Sequence, residues 1–224
     1  VGSPGEDYDL SDMGSDCDAA MDYIWYDIVE PNQVLGPGIT SAIYPEGLGY
    51  RLTKGTEILV QSHHVNYTGN TILVNDRFDL IFSPEEEIEH MAAPLEVGDD
   101  DVEIPVGFYE YVHECIVEEE FYIAWLTGHM HENGLYTYID LVKDGQTSRL
   151  YEVNAWLDEY YLTAPVEYFL PDGILVEPGD TLLLTCAWQN DTGSTISFPK
   201  EMCYGGGIIF PSILGYQCDP FIPN

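Results

Sequence analysis

Two short stretches carry residue types that could work together: Gly128-His129-Met130-His131-Glu132-Asn133-Gly134 and, about seventy residues later, Lys200-Glu201-Met202-Cys203-Tyr204. The first sets two imidazoles at spacing i, i+2, which on a β-strand puts both rings on one face. The second offers a thioether beside a cysteine. Two His nitrogens and a Met sulfur make a soft, incomplete ligand set that suits copper, Cu(I) above all, better than zinc or magnesium. These residues therefore predict a mononuclear copper site with an open position. Spacing alone also fits a plainer pair of roles, a polar strand face for the histidines and core filling for the methionine.

Such a pair has to be held by strands, and the chain reads as strand after strand from residue 48. Ile58–Tyr67 and Thr71–Phe82 are apolar and β-branched, separated by Thr68-Gly69-Asn70. The stretch from Pro84 to Glu103 carries nine carboxylates and reads as a solvated acidic loop, with calcium a weaker alternative. Phe121–His129 is an apolar strand that runs into the His pair. Leu135–Val142 and Ser148–Val153 flank Lys143-Asp144-Gly145-Gln146, a hairpin turn by its Asp-Gly. Glu177-Pro178-Gly179-Asp180 is a turn that launches Thr181–Cys186, and Gly207–Leu214 reads as the last strand. No segment shows a capped 3.6-residue apolar period. The expected fold is all-β, an antiparallel β-sandwich of jelly-roll type.

Composition bounds the function. The chain has 224 residues, 40 of them acidic and six basic, for a formal net charge of -34. Phosphate recognition needs clustered Lys and Arg, so nucleic acid is excluded as a partner, and anionic membrane surfaces are disfavoured. Such a charge favours solubility and the attraction of cations, in keeping with a salty exterior. No apolar run approaches the ~20 residues of a membrane-spanning helix, so no membrane insertion is expected. The chain opens at Val1, which fits a processed precursor. Five cysteines, at 17, 115, 186, 203 and 218, read as two disulfides and one odd thiol. With sequons at Asn66 and Asn190 as glycosylation candidates, the expected location is secreted or at the cell surface.

Five segments, in order, resemble one family. Tyr44-Pro45-Glu46-Gly47-Leu48-Gly49-Tyr50-Arg51, Val60-Gln61-Ser62-His63, Gly128-His129-Met130-His131, Val176-Glu177-Pro178-Gly179-Asp180-Thr181 and Glu201-Met202-Cys203 are similar to motifs of one catalytic domain. It is the C-terminal domain of the type II copper, ascorbate-dependent monooxygenases, the group of peptidylglycine α-hydroxylating and dopamine β-monooxygenases. The resemblance covers residues 39–218, leaving 1–38 as an acidic lead-in and linker, a remnant of a preceding domain, and 219–224 as a tail. It implies disulfides Cys186–Cys203 and Cys115–Cys218, the first pinning the Met202 loop to a core strand, with Cys17 left over. It further implies His129, His131 and Met202 as ligands of the copper that activates O2 to hydroxylate a C–H bond of a small-molecule or peptide substrate.

In that family a second copper, on the preceding domain, supplies the other electron. Residues 1–38 hold no histidine and are too short to be that domain, so a preceding copper domain or another subunit is the expected partner. His63 and His64 fall on a strand whose His is not a ligand in the family, so they, with His90 and His113, are expected to be structural or to support the ligands. The amidating enzymes' anchors for a peptide carboxylate, an Arg before the first His ligand and a Tyr after the Cys, are replaced by Thr127 and Gly206, with Gly207 following. Peptide amidation is not expected. The reading is a copper domain of an exported monooxygenase. Its alternative is a non-catalytic extracellular β-sandwich module, self-assembling or copper-binding, derived from the same family.

Overall fold

A computed structural model of the chain describes residues 44–55, 69–74, 79–99, 102–161, 164–198, 200–212 and 214–218. The described residues form β1 (Leu48–Gly49), β2 (His90–Met91), β3 (Ala93–Asp99), β4 (Gly107–Ile116), β5 (Phe121–His129), β6 (Gly134–Lys143) and β7 (Gln146–Val153). They continue with β8 (Val166–Tyr168), β9 (Ile174–Val176), β10 (Thr181–Asn190), β11 (Cys203–Phe210) and β12 (Tyr216–Cys218). One sheet runs β4-β10-β6-β7; the other runs β12-β3-β11-β5-β8, with β9 also on β5. Pairing is nested and antiparallel: β3 with β11, β4 with β10, β5 with β8 and β9, β6 with β7. A long antiparallel ribbon rolled upon itself gives this pattern, which is the jelly roll. The short parallel pairs β12·β3 and β1·β2 are additions to it.

The core lies between the sheets and follows from strand alternation. Leu182, Leu184, Cys186 and Trp188 of β10 point inward and are completely buried, facing Leu95, Ile123, Leu126 and Ile209 of the other sheet. Both disulfides cross that interface. Cys186–Cys203 ties β10 to β11, and Cys115–Cys218 ties β4 to β12, with Cα separations of 5.8 and 5.4 Å. The pairing is the one the family resemblance implies.

Several sequence expectations are met closely. The strand Phe121–His129 has those bounds. Asp144 and Gly145 both take positive φ (51° and 74°), as a two-residue hairpin turn requires. Asp180 closes the turn before β10 by accepting from the Glu177 amide at 2.8 Å. Three readings need correction. The acidic stretch 84–103 contains β3, a central strand, because Ala93, Leu95 and Val97 supply an inward apolar face that the surrounding carboxylates hide. In Thr71–Phe82 the described residues, 71–74 and 79–82, form no strand and find no ladder partner among the described residues, and Leu73 and Ile81 stand exposed. The last long strand is Cys203–Phe210 rather than Gly207–Leu214, followed by β12. Ile58–Tyr67 lies outside the described residues, as do 1–38 and 219–224. Among the described residues no helix is long and apolar enough to cross a membrane.

Candidate metal centre

Alternation along β5 sends Met130, completely buried, into the core between two outward-facing histidines. The strand ends at His129, so His131 sits where β5 gives way to the turn before β6. The two imidazoles lie 5.1 Å apart between centroids and are nearly perpendicular, at 81°. In the register of β11 on β5, Tyr204 opposes His129. Met202, itself buried, stands one residue before β11 begins at Cys203, and its neighbours Lys200 and Glu201 both bond to His131. The three sequence-predicted ligands therefore lie at one end of the six-stranded sheet, where β5 stops and β11 starts.

What holds this end together is Glu201. Its carboxylate is completely buried and accepts four hydrogen bonds. Oε2 takes the amide of His131 at 3.0 Å and the Trp188 indole N–H at 3.0 Å. Oε1 takes the Asn133 amide at 2.7 Å and its Nδ2 at 3.1 Å. A carboxylate offers about four lone-pair sites, and here all are used. The same loop supplies the Lys200 carbonyl, 3.0 Å from His131 Nδ1. A carbonyl only accepts, so Nδ1 donates to it, and in the neutral ring the lone pair then sits on Nε2, the arrangement that prepares a His for metal. Cys186–Cys203 fixes the residue after Met202 to the core of β10.

His129 is buried, and that burial, with the charge of His131 adding to it, pulls its pKa from 6.5 to about 3. It is thus neutral at physiological pH, the form that ligates metals. Opposite it, the Tyr204 hydroxyl is pushed well above the ordinary value by burial, with neighbouring Glu96 contributing. The donor set fits copper: two imidazoles, a buried thioether and a hydrogen-bonded backing. Among the described residues no three His, Cys, Asp or Glu side chains converge as an alternative metal group.

The other singled-out residues lie elsewhere. His90 is exposed on β2, with its ring 5.5 Å from that of Phe210; His113 is buried on β4 in the opposite sheet. Neither joins the His129 pair. Asn190 is completely buried, its Nδ2 donating to the carbonyls of Ile104, Pro105 and Ser194. His63, His64, Asn66 and Cys17 lie outside the described residues. Thr127 donates to the Pro165 carbonyl at 2.9 Å. Gly207 is imposed by packing, because a Cβ there would lie 2.3 Å from the Trp125 carbonyl oxygen. Nothing in the sequence marks out Glu201 or Tyr161, whose ring pairs with both imidazoles, because each acquires its partners only when distant segments meet.

No protein-family model matches the sequence, and no curated protein matches it. Among solved structures it is similar to one titled "Structure of infectious bursal disease virus Gx strain". Identity is 12%, the TM-score is 0.31, and the match covers 53% of this chain and 30% of that one. At that level the likeness carries no functional information.

Proposed function

We propose that this chain is a mononuclear copper domain that binds the metal through His129, His131 and Met202 and serves an exported monooxygenase hydroxylating a C–H bond. The observation that carries this reading is the ring of His131. Its Nδ1 is committed to the Lys200 carbonyl, on the loop that bears Met202, which leaves Nε2 as the ring's other donor, with the buried His129 ring 5.1 Å away between centroids. Copper, when bound, supplies one-electron chemistry with dioxygen. The chain's own share is to hold three donors at one end of the six-stranded sheet, to keep His129 unprotonated, and to fix the turn and the Met202 loop through Glu201. The disulfides suit the oxidising exterior that an exported protein meets. Reduction of the metal needs a second redox centre, and a further copper domain or subunit is the partner we assign to that task.

A second reading, a non-catalytic copper-binding module, is favoured by one feature. The positions that would anchor a peptide carboxylate hold Thr127, whose hydroxyl is already spent, and Gly206, which has no side chain. Both readings require copper, and Cu(I) titration of the full chain carrying Cys17→Ser, which takes away the odd thiol, tests it. One equivalent is expected in the parent and none in His129→Ala. Equal uptake by the two proteins contradicts the site. Ascorbate-driven oxygen consumption, present once the partner domain is supplied, then separates enzyme from module.

A further inference from the structure

Tyr161 stands at the end of the 3-10 turn Asp158–Tyr161, in the connection between β7 and β8. Its ring centroid lies 4.7 Å from that of His131, edge-on at 78°, and 6.0 Å from that of His129, tilted by 32°. It therefore touches both imidazoles, while its own exposure of 40% leaves it at the rim of the site. The connection is anchored close by. The Trp156 amide donates to the Leu135 carbonyl at 2.7 Å, and the Trp156 indole packs where a side chain on Gly134 would go. Tyr160 sets its ring edge-on to Trp156 at 5.7 Å. Tyr161 is thus brought to the histidines by contacts with the same turn that carries His131.

We propose that Tyr161 is the aromatic wall of the copper site, a positioning residue whose ring holds the two imidazoles at their mutual angle and keeps water from the metal, so that Cu(I) is favoured over Cu(II). The proposal rests on the copper reading of His129, His131 and Met202. Cu(I) is satisfied by a few soft donors, whereas Cu(II) prefers a fuller shell that includes hard oxygen ligands, water among them. A ring against both imidazoles penalises the fuller shell. Its edge and face do this work, so phenylalanine serves as well as tyrosine.

The test uses the full chain carrying Cys17→Ser, which removes the odd thiol as a competing Cu(I) ligand. Cu(I) affinity is read by competition with bicinchoninate, and the Cu(II)/Cu(I) potential by redox titration followed by electron paramagnetic resonance. Tyr161→Phe should match the parent. Tyr161→Ala, and Tyr161→Ser as a second truncation, should each lower the ratio of Cu(I) to Cu(II) affinity about tenfold, the cost typical of losing a support to a metal ligand. That is about 59 mV for one electron. An unchanged potential in both truncations, or a Phe variant that behaves like them, overturns the proposal and leaves the copper site standing. A parent chain that takes up no Cu(I) overturns the copper reading and this inference together.

Discussion

At Glu201, one completely buried carboxylate accepts from the amides of His131 and Asn133, the Asn133 side chain and the Trp188 indole. Glu201→Gln replaces two of those lone-pair sites with N–H donors that face other donors. The expected cost is about 3 kcal/mol of stability, the scale of breaking buried bonds to a charged group, with a tenfold loss of Cu(I) affinity as the turn relaxes. Urea unfolding and chelator competition read the two effects. His129 supplies a pH dependence. Unfolding lets it bind a proton below pH 6.5 that the folded chain refuses until about pH 3, so stability is lost as pH falls through that window. In metal-free protein, the loss between pH 8 and pH 5 should be about 2 kcal/mol smaller for His129→Gln than for the parent. Equal losses would show that His129 is not buried as described. The His pair was legible because i, i+2 spacing on an apolar strand has a geometric meaning by itself. Glu201 and Tyr161 were not, since a carboxylate in a turn and a tyrosine in a loop acquire roles only when distant segments close on them.

The jelly roll depends on two seams between its sheets. Cys186–Cys203 closes a separation of 17 residues and secures the residue that follows Met202. Replacing both cysteines by alanine should cost about 3 kcal/mol in unfolding free energy, on the chain-entropy account of a loop of that length. It should also weaken Cu(I) binding. A stability loss with unchanged metal affinity would show that the bridge staples the fold without positioning the ligand. Elements were legible wherever one face was cleanly apolar or a turn had obligate chemistry, as in β5 and at Asp144-Gly145. β4 escaped notice because its outward face carries Phe108, Val112 and Ile116 alongside Glu110 and Glu114, while its inward face includes Tyr109, Tyr111 and His113. Neither face then reads as the buried one. β3 was hidden by its acidic neighbours, and Thr71–Phe82 offered an apolar pattern for which the described residues provide no ladder.

On the scale of the whole molecule the dominant fact is the charge of -34. It is the ground for expecting no nucleic-acid partner, and it complicates every metal experiment, because surface carboxylates attract divalent cations indiscriminately. Binding stoichiometry with Cu(II) would mix that background with the His129 site. Sulfur separates them: the cysteines at 115, 186, 203 and 218 are oxidised in disulfides, so with Cys17→Ser in place Met202 is the sulfur that the site can offer. The decisive measurement is the X-ray absorption spectrum of the Cu(I)-loaded Cys17→Ser chain, compared with the same chain carrying Met202→Ile. The account predicts a mixed nitrogen and sulfur shell whose sulfur contribution disappears in the isoleucine variant. A copper shell without sulfur in the parent, or one that Met202→Ile leaves unchanged, would contradict it.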